Sequence, residues 1–126
     1  MKITFDTYAW VEYFLGTNKG KEIEKYFANN EIITPITALI ELDCKAAKHG
    51  WDKDFMFEFV KSKSNVFFIN WEITKISSQI YLEQRKKFSD FGLNCAIILA
   101  TSRVNNSKLL TGDKHFKGLS DVIFLE

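Results

Sequence analysis

Short runs rich in Ile, Val and Phe alternate along the chain with longer stretches in which apolar residues recur every three or four positions. That is the pattern of a parallel sheet joined by crossover helices. Strands are predicted at Lys2–Phe5, Glu31–Thr34, Val66–Ile69, Lys108–Thr111 and Val122–Leu125. Several are almost continuously apolar, as strands covered on both faces are. The expected class is α/β, with a central, mostly parallel, five-stranded sheet flanked by helices.

A first helix is predicted over Thr7–Leu15 with Gly16 as its stop, and a second over Lys19–Ala28 with Ile23, Tyr26 and Phe27 on one side. Thr34 and Pro35, the sole proline, read as N-cap and first helical residue of a helix reaching Lys48, ended by Gly50. In it Ile36, Leu39 and Ile40 share an apolar stripe, and Glu41 sits beside that stripe instead of opposite it. Further helices are predicted at Trp51–Lys61, with Trp51, Phe55 and Phe59 four apart, and at Glu72–Lys87. Helical spacing makes core packing the default for these aromatics, any surplus face serving a partner.

At 126 residues and 46% hydrophobic content the chain suits one core, so a single domain over 1–126 is expected. Lys+Arg 17 against Asp+Glu 16 leaves a net charge of +1, so any nucleic-acid surface must be local. The start lacks an apolar signal core and no run approaches a membrane span, which leads us to expect a soluble cytoplasmic protein with no membrane partner. Cys44 and Cys95 have no metal-ligand spacing and are expected as free thiols; His49 and His115 likewise do not form a zinc pair.

The chemistry concentrates at predicted strand ends. Asp6 follows the first strand directly, and Asp113 lies two residues beyond Thr111. In open parallel sheets the carboxyl edge is where ligands bind. Carboxylates brought together there raise one another's pKa, and a hard divalent cation is the usual way to keep them ionised. Glu41 is a third candidate oxygen ligand. The ordinary alternatives are a helix cap for Asp6, a turn residue for Asp113 and a solvated glutamate for Glu41.

Asp6-Thr7, Thr34-Pro35 leading into Glu41-Leu42, Ala96-Ile97-Ile98-Leu99-Ala100-Thr101, and Leu110-Thr111-Gly112-Asp113-Lys114-His115-Phe116 together resemble the ordered motifs of PIN domains, the last block being closest to the VapC-type toxin branch. The resemblance covers nearly the whole chain. It implies a PIN-like α/β/α sandwich and a Mg2+- or Mn2+-dependent ribonuclease with Asp6, Glu41 and Asp113 as catalytic metal ligands. It also implies a homodimer and a small antitoxin protein whose tail covers the active site.

One position departs from the family pattern. Where the family's helix opens with Asp before Ala-Ile-Ile, this chain has Cys95, preceded by Asn94. A thiol is soft and mostly protonated near neutral pH, whereas magnesium prefers hard oxygen. Asp90 is the nearest replacement acid, its alternative being a solvated turn residue, and Asn94 offers only a neutral oxygen. Thr7 and Thr111 are expected to orient the acids. Lys114, His115 and Lys117 are candidate RNA contacts, while Arg85-Lys86-Lys87 reads as basic residues at a helix end.

Cys95 motivates a rival reading, a catalytically impaired PIN domain that binds RNA or protein. A phosphatase or phosphoacceptor fits less well, since Asp6-Thr7-Tyr8 lacks a second Asp and Ile69-Asn70-Trp71 carries no acid. Dinucleotide binding is disfavoured because no glycine-rich fingerprint follows the first strand.

Overall fold

The computed structural model describes residues 1–126. Strands β1 (Lys2–Phe5), β2 (Glu31–Pro35), β3 (Asn65–Phe67), β4 (Lys108–Thr111) and β5 (Val122–Phe124) form one sheet in the order β3-β2-β1-β4-β5. All four pairings are parallel, with Ile3 beside Ile32 and Lys108 across the central strands. The connecting helices are α1 (Thr7–Leu15), α2 (Asn18–Glu24), α3 (Ile36–His49), α4 (Lys53–Lys63), α5 (Trp71–Gln84) and α6 (Leu93–Val104).

Alternation along the strands divides the core. Ile3, Phe5, Ile32 and Leu110 pack with Trp10, Ile23, Leu42, Met56 and Val60, whereas Leu109 packs with Ile73, Ile80, Ala96, Leu99 and Ala100. The second group joins α5 and α6. On the first side Trp10 is fully buried, 5.1 Å from Phe5 and stacked on Phe14 at 5.8 Å, as helical spacing led us to expect for part of the aromatic content.

Local signals place most boundaries. Gly16 and Gly50 adopt the left-handed conformation, with φ of 68° and 70°, and end α1 and α3. Thr34 and Pro35 are a correction. Pro35 stays extended in β2, paired with Phe67, and α3 begins without a side-chain cap. The Thr34 hydroxyl is engaged elsewhere: it accepts from Trp10 Nε1 at 3.1 Å and bonds Ser64 Oγ at 2.7 Å.

The second predicted helix shortens to α2, followed by one tight turn at Lys25–Phe27. Asp52 caps α4 through the Phe55 N–H, so that helix starts later than Trp51; Met56 and Val60 face inward and Phe55 is exposed. Ile40, predicted on the apolar stripe of α3, is also exposed. The third strand ends at Phe67 because Asn70 caps α5, accepting from Ile73 N at 2.8 Å, which leaves Phe68 and Ile69 outside the sheet. The fifth ends at Phe124, although the Leu125 N–H still bonds the Thr111 carbonyl. No helix is long and apolar enough to cross a membrane.

Candidate active site

The chain leaves β1 for β2 on one side and later returns to β4 on the other, so β1 and β4 flank the point where strand order reverses. Connections at the carboxyl ends diverge there and open a crevice. Asp6 follows β1, Asp113 follows β4, and Glu41 lies near the start of α3, the helix that follows β2. A cleft of about 180 Å³ at that place is lined by Asp6, Thr7, Tyr8, Glu41, Cys95, Ile98, Asp113 and Phe116.

Each carboxylate is held by a protein donor. Asp6 is buried; one of its oxygens caps α1 by accepting from Ala9 N at 2.8 Å, and the other accepts from the Thr111 hydroxyl. The capping role therefore coexists with the cleft position. Burial pushes the Asp6 pKa from 3.8 up to about 7; the Thr111 and Ala9 hydrogen bonds oppose this, and the nearby charges of Asp113 and Glu41 add to it. Glu41 Oε1 accepts from the Thr7 hydroxyl at 2.5 Å. Asp113 Oδ1 accepts from His115 N at 2.9 Å and lies 2.7 Å from His115 Nδ1, while its own N–H donates to Thr111 Oγ1 at 3.0 Å.

Cys95 stands in the same cleft, its Sγ 4.0 Å from Asp113 Oδ2. Burial, followed by the Asp113 charge, pushes its thiol up to about 12, with a Gly92 backbone hydrogen bond only partly opposing. The side chain is therefore a neutral thiol. Asn94, one residue earlier, does not line the cleft, and its Oδ1 is buried without a hydrogen-bond partner.

Asp90 is not drawn into the cleft either. Its exposed carboxylate lies 3.0 Å from His115 Nε2, and His115 stands between it and Asp113. The His115 ring is mostly buried, edge-on to Phe88 and Phe91. Burial disfavours its charged form, but Asp90 and Asp113 outweigh that and raise its pKa above the ordinary value. His115 is thus clamped between two acids. Lys117 turns toward Glu126, 3.9 Å away, and the ring of Phe124. Of the three candidate RNA contacts, Lys114 alone is exposed and without an ion pair.

Three hard oxygen donors in one cleft, with burial and, to a smaller degree, the neighbouring charges raising the pKa of Asp6, suit a divalent cation; the protonated thiol does not. The acids are turned onto protein donors, and no three acid, His or Cys side chains form a ready coordination shell. Sequence reasoning missed Tyr8, Ile98 and Phe116 as lining residues. The position of Tyr8, two after Asp6 in the first turn of α1, was the available signal for it.

Fold and cleft define an α/β protein with an acidic crevice at the switch point of an all-parallel sheet. A family model described as PIN domain matches residues 3–122, and the chain belongs to the PIN domain family. Among solved structures it is similar to a chain of the toxin-antitoxin complex from Klebsiella pneumoniae, at 24% identity, covering 96% of this chain and 95% of that one, with a TM-score of 0.75. It is similar to a chain of VapBC2 from Rickettsia felis bound to a promoter DNA fragment, at 19% identity, covering 99% and 98%, with a TM-score of 0.77. VapC20 from Mycobacterium tuberculosis, a Sarcin-Ricin loop cleaving toxin, matches at 14% identity, covering 95% and 98%, with a TM-score of 0.74. At these identities the likeness establishes the fold. No curated protein matches significantly in sequence.

Proposed function

We propose that the chain is a Mg2+- or Mn2+-dependent endoribonuclease of the VapC type, the toxin of a type II toxin-antitoxin pair. The observation that carries this reading is the convergence of Asp6, Glu41 and Asp113 on one cleft, with burial and shared charge raising Asp6 to about 7. Those three carboxylates would hold the cation. When bound, it would acidify a water and neutralise charge on the phosphoryl and leaving oxygens of an RNA phosphodiester. Thr7 and Thr111 keep Glu41 and Asp6 oriented, and His115 keeps Asp113 oriented. Lys114 is available to the substrate backbone.

The similar structures, toxin-antitoxin complexes and a Sarcin-Ricin loop cleaving toxin, support the same reading. A cytoplasmic homodimer partnered by a small antitoxin belongs to this proposal. Exposed Phe68, Ile69, Trp71 and Leu93 support a partner surface, since apolar side chains gathered at a surface mark interaction sites.

The neutral Cys95 thiol favours a second reading, a metal-poor domain that binds RNA or protein without cutting. One experiment separates them: RNA cleavage with manganese or magnesium, with a chelator control, by wild type, Asp113→Asn and Cys95→Asp. Chelator-sensitive cleavage by wild type that is lost in Asp113→Asn supports the nuclease. Cleavage gained only in Cys95→Asp supports the impaired domain, and full activity of Asp113→Asn refutes the site.

A further inference from the structure

Three carboxylates repel a polyanionic substrate, so a ribonuclease built on this cleft needs cationic contacts at its rim. His115 is clamped between Asp113 and Asp90, and Lys117 faces Glu126. Lys19 has a different environment. Its ammonium donates to the Tyr8 hydroxyl at 2.9 Å and lies 5.5 Å from the ring centroid; Glu12 and Glu126 act on it from beyond ion-pair distance, and neither forms a salt bridge with it. Tyr8 lines the cleft beside Asp6, so Lys19 stands one side chain away from the acids.

Two glycines make that placement possible, each by the space it leaves. A Cβ at Gly112 would lie 2.3 Å from Tyr8 Cε1 and 2.5 Å from Cζ, so the ring rests directly on the backbone between Thr111 and Asp113. A Cβ at Gly20 would lie 2.2 Å from the Glu12 carbonyl oxygen, so α2 presses on α1 at the residue next to Lys19. The phenol is fixed against the β4 loop and the ammonium is fixed on the phenol. A long, flexible side chain is thereby held at the rim, which lowers the entropy lost on engaging a ligand.

We propose that Lys19, held by Tyr8, is a phosphate-binding group of the cleft, engaging the backbone of single-stranded RNA next to the phosphate that faces Asp6, Glu41 and Asp113. This inference rests on the nuclease reading. Lys19 contacts the substrate; Tyr8 acts through Lys19 as a positioning residue.

The test is binding of a fluorescein-labelled single-stranded RNA oligonucleotide to the full chain in chelator, where metal-dependent cleavage is silent, over a range of salt. Lys19→Gln is expected to weaken binding about tenfold at low salt and to flatten the dependence of log K on log salt by about 0.7, the contribution of one phosphate contact on a single strand. Lys19→Arg is expected to restore the slope. Tyr8→Phe, which keeps the ring and removes the hydroxyl, should shift affinity in the same direction by less. Equal affinity and slope for wild type and Lys19→Gln would overturn the proposal, as would failure of wild type to bind the RNA. Absence of chelator-sensitive cleavage in the parallel assay counts against the nuclease reading alone, because the binding measurement decides on Lys19 independently.

Discussion

Asp6→Asn removes a charge that the folded chain accommodates poorly. The Asp6 pKa lies at about 7 in the folded protein against an ordinary 3.8. The folded state therefore holds the proton more tightly than the unfolded one. Between these values the unfolded chain ionises while the folded chain does not, so stability falls as pH rises from about 4 to about 7 and levels off above it. The separation corresponds to ~4 kcal/mol at full ionisation. That is an upper limit for the variant, because Asn keeps an acceptor for Ala9 N but meets the Thr111 hydroxyl with different geometry.

In chelator at pH above 7, Asp6→Asn is expected to unfold later than wild type, by up to roughly 10–15 °C for a chain of this size. Its stability should lack the decline between pH 4 and 7 that wild type shows. Magnesium or manganese should raise the wild-type midpoint and leave the variant's nearly unchanged, because a ligand stabilises only the state that binds it. Thermal unfolding across pH, with and without metal, reads all three. A variant less stable than wild type at pH 8, with a parallel pH profile, would refute the claim that Asp6 is ionised at a cost.

Gly20→Ala puts a methyl group 2.2 Å from the Glu12 carbonyl oxygen, a backbone atom that cannot swing aside, and is expected to cost about 1–3 kcal/mol by overpacking in denaturant titration. Gly92→Ala, with open space around its Cβ but at the N-cap of α6, where Ala is poorer than Gly, should cost only about 0.5–1 kcal/mol. The His115 ring is expected to titrate above 6.5 by NMR and to fall in Asp90→Asn, which removes one of the acids that raise it. Its contribution to stability is present below 6.5 and lost as pH rises through the folded-state pKa.

Much of the fold was legible in residue order. The α1 limits, the glycine stops and the near-continuously apolar strands depend on interactions within a few residues. Two misplaced boundaries, the start of α4 and the end of β3, came from local caps at Asp52 and Asn70, and a third from a distant engagement. Thr34 looks like a cap in isolation, yet its hydroxyl serves Trp10 and Ser64, 24 and 30 positions away. Phe55 and Ile40 fit an apolar stripe, yet the helix phase set by the actual caps and neighbours turns them to solvent.

The sequence alone determined which residues carry usable chemistry and which edge of the sheet they occupy, because strand ends and oxygen donors are local properties. Only the tertiary structure decided their states. Asp6 meets the Thr111 hydroxyl across 105 positions and loses its water there, which moves its pKa. His115 lies between two acids, Lys117 faces Glu126, and Lys19 reaches Tyr8 across two glycine-backed contacts. Charge, solvation and reach depend on distances in space, and those are set when the strands take their order.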